Sequence, residues 1–301
     1  MPVTATKNCA TAPYSPRRPA ETPLYQIVQA NLETFLALCR DDSDPDTAIP
    51  PYAEQAFRRY LECGILAYGF ARAHCDQCSH DFLVAFSCKG RGVCPSCMTR
   101  RMVETAAHMI DHVLPSLPIR QWVISFPKRL RYFLQRDRAI RSAALRMVLR
   151  VIEQALKNRS SGANPNARIG AVAFIHLFGS SLNEHTHFHI CVIDGVFETA
   201  EDDTPLAFFE VSGIDAETVA NLQDLIRHRI LRLFVRRGLL ESDDAKLMAE
   251  WDHDGGFSLD ASVRIEAHDH QGRERLLRYC ARPPFALERI EIIDSQRLIH
   301  S

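Results

Sequence analysis

The sequence has 301 residues, of which 46% are hydrophobic, and a formal net charge of −1 at neutral pH. That length allows one large domain or two smaller ones, and the composition is ordinary for a globular protein. The balanced charge excludes a protein that is basic over its whole surface. No stretch resembles a secretory signal or reaches the roughly 18 apolar residues that a membrane-spanning helix needs. We therefore expect a cytoplasmic protein with no membrane partner.

The N-terminal part of the chain predicts two helices after a disordered leader. Residues 1–22 are rich in proline, threonine, alanine and serine and have no apolar period, so we expect no fixed structure there. Apolar residues with helical spacing then run over Leu24–Leu38 and Tyr52–Leu66, with an acidic, proline-containing turn between them. We place domain boundaries near residues 22 and 114, so that residues 23–114 form one domain, which begins with these helices, and residues 115–301 form a second domain.

Six of the ten cysteines fall within one short segment of the chain. In a reducing compartment, such thiols are more often metal ligands than disulfides. Two CxxC pairs, separated by fifteen residues, are Cys75 with Cys78 and Cys94 with Cys97. Each pair puts two sulfur atoms on one tight turn, and two such turns close a tetrahedral site for structural zinc. Cys63 and Cys88 lie outside the pairs, so a swapped ligand or a second metal is the alternative.

Basic residues surround the cysteines and continue beyond them. No acidic residue lies between Cys88 and Met102, and the cations of this stretch are Lys89, Arg91, Arg100 and Arg101. From Arg120 to Arg150 there are nine lysines or arginines against one acid, Asp137. Such a local excess of positive charge can hold a phosphate backbone, so we expect both groups to bind DNA. The alternative is a solvated basic surface without a partner.

The rest of the chain alternates helical and strand patterns. Helices are predicted at Arg101–Val113, Arg138–Lys157, Ala216–Arg237 and Arg273–Ala281. Strands are predicted at Arg120–Phe126, Gly170–Phe178, the stretch around His187, and Val196–Glu198. The loop after Phe178 turns the chain back, so the second and third of these strands form a hairpin.

The most informative stretch of the chain contains three histidines in alternation. Because successive side chains of a strand point to opposite faces, His185, His187 and His189 line one face, and the apolar residues between them line the other. Two imidazoles at neighbouring positions of one face can share a divalent cation and leave room for substrate oxygen atoms. A hydrogen-bonded surface feature is the alternative. The third ligand stays open between His176 on the partner strand, His185 and Glu184.

Tyr279 is the only tyrosine after the histidine strand. On a helical wheel it shares a face with Arg275 and Arg282, and apolar residues occupy the opposite side. A phenol flanked by guanidinium groups can attack a phosphate that the arginines hold. A tyrosine at the core edge of an amphipathic helix is the commoner alternative.

Four sequence blocks carry a resemblance to a known family. They are Tyr60-Leu-Glu-Cys-Gly-Ile-Leu-Ala-Tyr-Gly-Phe-Ala-Arg, Phe86-Ser-Cys-Lys-Gly-Arg-Gly-Val-Cys-Pro-Ser-Cys followed by Arg100-Arg101-Met102, Phe178-Gly-Ser-Ser-Leu-Asn running into His187-Phe188-His189, and Leu277-Arg-Tyr-Cys-Ala-Arg-Pro-Pro. In this order, from about Pro51 to the last residues, the blocks resemble HUH-type rolling-circle transposases of bacterial insertion sequences. The resemblance is to the zinc-ribbon group that includes the common-region (ISCR) elements.

The resemblance implies an α+β fold, in which an N-terminal helical and zinc-ribbon region precedes an HUH endonuclease core with an antiparallel sheet and packed helices. It implies that His187 and His189 hold a catalytic Mg or Mn ion and that Tyr279 is the nucleophile. Structural zinc is then held by Cys75, Cys78, Cys94 and Cys97. The implied activity is nicking and rejoining of single-stranded DNA at element ends, through a 5′-phosphotyrosine intermediate.

Two features depart from the family pattern. Some members carry a second tyrosine four residues before the first, and Arg275 stands there in this chain, so a single-tyrosine enzyme is expected. The chain also ends at Ser301, where relatives usually continue, so we expect a C-terminal truncation that affects complete transposition more than the cleavage chemistry.

Two other functions compete with this interpretation. One is a zinc-ribbon DNA-binding protein without catalysis, such as an inactive element product. The other is a metal hydrolase that acts on small molecules, although only Glu184 and Asp194 lie close to the histidines in the sequence. We expect no nucleotide cofactor, because the sequence has no phosphate-binding glycine-rich loop.

Overall fold

The computed structural model describes residues 17–41, 49–77, 79–198, 206–284, 290–293 and 297–300. Residues 1–16 of the predicted leader lie outside this part, and Pro19–Glu21 form a 3-10 turn before the first helix. In the part of the chain that the structure describes, no helix is both long and apolar enough to cross a bilayer.

The described residues mix helices with antiparallel strands, which confirms the predicted α+β class. The helices are α1 (Pro23–Asp41), α2 (Pro51–Glu62), α3 (Pro95–His108), α4 (Lys128–Arg136), α5 (Arg138–Arg159), α6 (Ala216–Arg236), α7 (Ser242–Glu250) and α8 (His270–Cys280). The strands are β1 (Phe70–His74), β2 (Asp81–Ala85), β3 (Ile119–Ser125), β4 (Ala171–Phe178), β5 (Glu184–Ile193), β6 (Gly195–Glu198), β7 (Ala207–Glu210), β8 (Ser258–Asp260), β9 (Arg264–Ile265), β10 (Ile290–Ile292) and β11 (Leu298–His300).

The chain divides into two compact units. Of the described residues, those from 17 to 98 form one unit together with 290–293 and 297–299, and those from 99 to 284 form the other together with His300. The division falls inside α3, whereas the sequence analysis placed a domain boundary after residue 114. In the second unit, the later part of α3 packs on α8, because Ala106 is buried in the same apolar cluster as Leu277.

The first unit is built on α1 and α2. Tyr25, Val28, Leu32 and Leu36 follow helical spacing and form the buried stripe of α1. Tyr60 of α2 joins the same cluster, with its ring edge-on to Tyr25 at 6.1 Å between centroids.

Helix α2 ends four residues before the position that the periodicity predicted. The chain leaves the helix at Cys63, and Gly64 has a φ of +80°, which L-residues with a side chain rarely adopt. The amide of Gly64 then donates to the carbonyl of Phe86 at 2.9 Å. This hydrogen bond ties the end of α2 to the residue that follows β2.

The second unit is organised around an antiparallel sheet in the order β4-β5-β3-β8, with β9 also paired to β3. Strand β5 is central, and its register places His187 opposite His176 of β4 and His189 opposite Val123 of β3. The predicted hairpin of Gly170–Phe178 with the histidine strand is therefore confirmed.

The two faces of the sheet pack against different elements. Phe188, Ile190 and Val192 of β5 point to one face and pack with α5 and α6 in the main core. On the opposite face, Cys191 and Ile193 pack with α8. The histidines share this second face nearer the start of β5, where the ring of His189 contacts Tyr279 of α8. The period of two in the sequence thus places Phe188, Ile190 and Val192 on a packing face and the histidines on the opposite face, which we call the chemical face.

Periodicity did not predict every element. Helix α4 was missed because only Leu130 and Leu134 are buried among its many charged residues, and α7 is comparably short. The single acid of the basic run, Asp137, caps α5, since its carboxylate accepts from the amides of Ala139 at 2.7 Å and Ile140 at 3.2 Å.

Candidate functional site

Four cysteine sulfurs of the first unit converge within 4.8 Å of one another: Cys63, Cys88, Cys94 and Cys97. Cys94 and Cys97 stand at the start of α3, and the sulfur of Cys97 lies 3.6 Å from those of Cys63 and Cys88. A tetrahedron with zinc–sulfur bonds of about 2.3 Å has sulfur atoms about 3.8 Å apart. The donor set and its spacing therefore fit zinc.

Backbone amides support this cluster in the manner of a metal knuckle. The amide of Cys88 donates to the sulfur of Cys63 at 3.3 Å, and the amide of Gly90 donates to the sulfur of Cys88 at 3.3 Å. Hydrogen bonds from Cys94 and Cys88 lower the pKa of the Cys63 thiol to about 4, so this sulfur is the first to ionise. An ionised thiolate is the form that binds a metal.

The cluster differs from the predicted set of zinc ligands. Cys94 and Cys97 belong to both, but the structure adds Cys63 and Cys88 and does not bring Cys75 into the group, while Cys78 lies outside the described residues. The reason is the hairpin of β1 and β2. Cys75 follows β1 at the hairpin tip, and five residues at about 3.4 Å each separate the tip from the base by roughly 17 Å. Cys88 lies just beyond the base.

A second cluster lies on the histidine face of the sheet in the other unit. Nitrogen atoms of His176, His187 and His189 all lie within 4.8 Å of one another. Of the three candidates for a third ligand, His176 is the one in this group. Glu184 instead lies 3.7 Å from Arg136, and the ring of His185 stacks 5.1 Å from His187 on its outer side.

Hydrogen bonds fix the orientation of each imidazole. His176 donates through Nε2 to the carbonyl of Cys280 at 2.7 Å, and His187 donates through Nδ1 to the carbonyl of His185 at 2.7 Å. The Nδ1 atom of His189 lies 2.9 Å from the side-chain amide nitrogen, Nε2, of Gln121. One nitrogen of each ring therefore remains for a metal, as in other sites where outer contacts orient the ligands. Gln121 was not singled out in the sequence, because its approach depends on the pairing of β3 with β5.

Burial keeps these imidazoles neutral. Desolvation lowers the pKa of His176 and of His187, and with the two neighbouring histidines it lowers the pKa of His189 to about 3. Neutral imidazole is the form that coordinates a cation. The donor chemistry thus fits a divalent metal.

These shifts predict that metal-free protein loses stability in acid. Unfolded imidazole titrates near 6.5 and folded His189 near 3, so between these values the unfolded state binds more protons, and the free energy of unfolding falls as the pH drops below about 6.5. Urea unfolding in EDTA measures how far the free energy of unfolding falls between pH 7.5 and pH 4.5. We expect this fall to be about 1–3 kcal/mol smaller in His189→Gln than in the parent protein. The exposed His268→Gln serves as control, and equal losses in all three proteins would contradict the assignment.

Tyr279 stands beside the histidine cluster. Its ring meets that of His189 edge-on, with centroids 5.4 Å apart, and the guanidinium of Arg282 lies 4.6 Å from the ring centroid. The side chain is 45% exposed, while Leu276, Leu277 and Cys280 are buried, so the helical-wheel prediction for α8 is confirmed. The tyrosine ring is thus partly exposed and contacts His189, one of the three imidazoles of the cluster.

A cavity of about 580 Å³ continues from this site along the sheet. Tyr279, His189 and Arg275 line it, together with residues of β3 and of the segment that contains β8 and β9. Lys89, Arg91, Arg100 and Arg101, the other predicted DNA contacts, are all exposed. Arg100 is engaged by Glu104 at 2.7 Å.

The prediction that Arg120 belongs to an exposed basic surface is wrong. Arg120 is buried, and its guanidinium lies 2.9 Å from one carboxylate oxygen of Asp194 and 3.0 Å from the other. Arg264 contacts the same carboxylate at 2.6 Å. Arg120 therefore holds the sheet together and is not available to DNA, whereas Arg138, Arg146 and Arg150 remain exposed.

Two regions of the chain match models of known protein families. A model described as "Transposase zinc-binding domain", of IS91 type, matches residues 29–126, and a model described as "Putative transposase" matches residues 170–301. No match was found among curated proteins or among solved structures. The first model covers the four-cysteine cluster, and the second covers the three histidines and Tyr279. The chain belongs to the IS91-like transposases that carry an N-terminal zinc-binding domain.

Proposed function

We propose that the chain nicks and rejoins single-stranded DNA at the ends of a mobile element, through a covalent bond between Tyr279 and a 5′ phosphate. The observation that carries this proposal is the position of one exposed phenol beside three converging imidazoles on one face of the sheet. A nucleophile next to a cation site is the arrangement that phosphodiester transesterification requires.

The reaction forms one phosphoester bond for each phosphoester bond that it breaks. The Tyr279 oxygen attacks phosphorus, a tyrosyl–phosphate bond forms, the bond from phosphorus to the 3′ oxygen breaks, and the leaving strand ends in a 3′-hydroxyl. The phenolic proton passes to solvent at the exposed side of the ring, and the departing 3′ oxygen takes up a proton from solvent. Attack by another 3′-hydroxyl on the phosphotyrosine reverses these steps, so the strands are rejoined without an external energy source.

Residues around the tyrosine hold the substrate. Arg282 lies against the phenol ring and Arg275 stands one turn earlier on the same face, so both guanidinium groups can bind the phosphates beside the cut. His176, His187 and His189 would hold a divalent cation, which, when bound, withdraws negative charge from the scissile phosphate. Three imidazoles favour Mn over Mg, because Mg prefers oxygen ligands.

The zinc-binding unit and the exposed cations complete the proposed interface. We assign the four cysteines a structural role, and Lys89, Arg91, Arg100 and Arg101 contacts with the DNA backbone. Because the DNA of a mobile element is the substrate, we propose that the protein acts in the cytoplasm, without a nucleotide cofactor.

Binding through phosphates predicts a steep dependence on salt. We expect the affinity for a single-stranded oligonucleotide to fall by about 10-fold or more between 50 and 200 mM salt, because each phosphate contact releases counterions. Arg275→Ala with Arg282→Ala should reduce the slope of log affinity against log salt by about 1 to 2. Fluorescence anisotropy measures both, and a flat salt dependence would contradict the DNA interface.

The experiment that tests the proposed activity looks for the covalent intermediate. Protein, a 5′- or 3′-labelled oligonucleotide carrying the element end, and Mn or Mg are incubated and then denatured. A protein–DNA species that survives denaturation and keeps the label on the 3′ side of the cut supports the proposal. DNA binding without any adduct, under all metals, would favour a DNA-binding protein without catalysis.

A further inference from the structure

The cavity beside Tyr279 extends beyond the residues that the proposed reaction uses. His189 and Tyr279 form one end, and Asp260, at the end of β8, lies at the other. The sheet register explains this spacing. His189 pairs with Val123 of β3, and Val123 pairs with Asp260, so the three side chains form one row across the chemical face. Two strand spacings separate the imidazole from the carboxylate by about 10 Å.

The walls between these ends are largely apolar. Val123 of β3, Val263 just before β9 and Leu276 of α8 are among the residues that line the cavity. Aliphatic side chains with a carboxylate among them suit a planar heterocycle, whose faces pack on apolar groups and whose edge carries hydrogen-bonding groups. Arg275 also borders the cavity, where it can meet the phosphate attached to that heterocycle.

At the far end of the cavity, the side chain of Asp260 can accept hydrogen bonds from a ligand. Its Oδ1 atom accepts from the amide of Ser262 at 3.1 Å, and within the described ranges no residue contacts Oδ2. Gln121, whose side-chain amide also lines the cavity, is already engaged with His189 and with the sulfur of Cys280. The far end therefore offers an acceptor without a competing side-chain donor.

We propose that this cavity binds the base of a nucleotide next to the scissile phosphate, and that Asp260 selects bases with an exocyclic amino group over thymine. The inference rests on the proposed function and names a specificity-determining residue for it. The amino groups of guanine, cytosine and adenine donate hydrogen bonds that a carboxylate accepts. Thymine presents carbonyl oxygens on both sides of its single N–H, and these repel the carboxylate.

Binding of oligonucleotides by a cleavage-deficient protein tests the inference without depending on catalysis. In a Tyr279→Phe background, each of the two nucleotides on either side of the expected cut is varied through all four bases. At one position, thymine should weaken binding about 5- to 100-fold relative to the amino-bearing bases. Asp260→Asn, whose amide can also donate, should bring this ratio to within about twofold, and Asp260→Ser should do the same.

Asp243→Asn is the matched control, because Asp243 is an exposed carboxylate of α7 that pairs with Lys246 and does not line the cavity, so the ratio should stay unchanged. An unchanged ratio in both Asp260 variants, or no base preference at any of the four positions in the parent, would overturn the inference. Circular dichroism and zinc content verify that the variants fold. If no adduct forms with the active protein but the preference depends on Asp260, then the proposed reaction fails and the base pocket stands.

Discussion

Tyr279→Phe is expected to reduce cleavage of a single-stranded element end by on the order of 10³-fold or more, and to remove the covalent adduct completely. The substitution deletes one oxygen atom, which is the atom proposed to attack phosphorus. The ring remains, so its contacts with His189 and Arg282 persist. Zinc content, unfolding free energy and DNA affinity should therefore stay close to those of the parent.

A second exposed tyrosine provides the matched control. Tyr132 is 50% exposed, close to the 45% of Tyr279, and likewise has an arginine over its ring, Arg136 at 4.1 Å. Tyr132→Phe should keep cleavage within about twofold of the parent, because surface substitutions away from a site have small effects. Peptide mapping that located the adduct on any residue other than Tyr279 would refute the mechanism.

The histidine variants should behave differently from Tyr279→Phe. In His187→Ala or His189→Ala the phenol survives, but one of three ligands is lost. Cleavage should drop and should no longer be restored by added Mn or Mg. If both variants kept metal-dependent cleavage, the proposal that the histidines hold the metal used by Tyr279 would be contradicted.

Local patterns in the sequence predicted the chemical face of the sheet because alternation determines it. His187 and His189 share a face in any straight strand, and the wheel of α8 likewise fixed Tyr279 on the side away from Leu276 and Leu277. Neither prediction needed knowledge of the tertiary fold.

Contacts between distant strands could not be predicted in the same way. Gln121 reaches His189, and Asp260 joins the same row, only because β3 lies between β5 and β8. Arg120 illustrates the opposite case, since its charge suggested a surface role but the pairing of strands placed Asp194 beside it. Sequence alone gives the chemistry of these residues but not the order of strands that brings them together.

The four-cysteine cluster likewise depends on contacts between residues that are distant in the sequence. The spacing of two CxxC pairs is shared by many zinc ribbons, and nothing local distinguishes a pair at a hairpin tip from one at its base. The hydrogen bond from Gly64 to Phe86 is what brings Cys63 and Cys88 to the same end of the hairpin as α3. Cys63-Gly64, immediately after a predicted helix, was the available signal for this arrangement.

Cys63→Ser and Cys88→Ser are therefore expected to remove the zinc as completely as Cys94→Ser does. Each should lower the zinc content from about one per chain towards zero and cost on the order of 5 kcal/mol or more, because the metal supplies much of the folding energy of such a small unit. Loss of one ligand also leaves three thiols crowded within hydrogen-bonding distance. Elemental analysis and thermal unfolding measure the two effects.

Two further cysteines test whether the loss is specific. Cys39 in α1 is half-buried in the same unit but outside the cluster, so Cys39→Ser should keep the zinc and most of the stability. Cys75→Ser should also keep the zinc held by the cluster, because the hairpin separates Cys75 from it. If Cys75→Ser removed all zinc while Cys63→Ser and Cys88→Ser retained it, the ligands would be the two CxxC pairs after all. The four sulfur atoms that converge at the start of α3 would then hold no metal. A chelator would in that case not lower the stability of the first unit by removing metal from them.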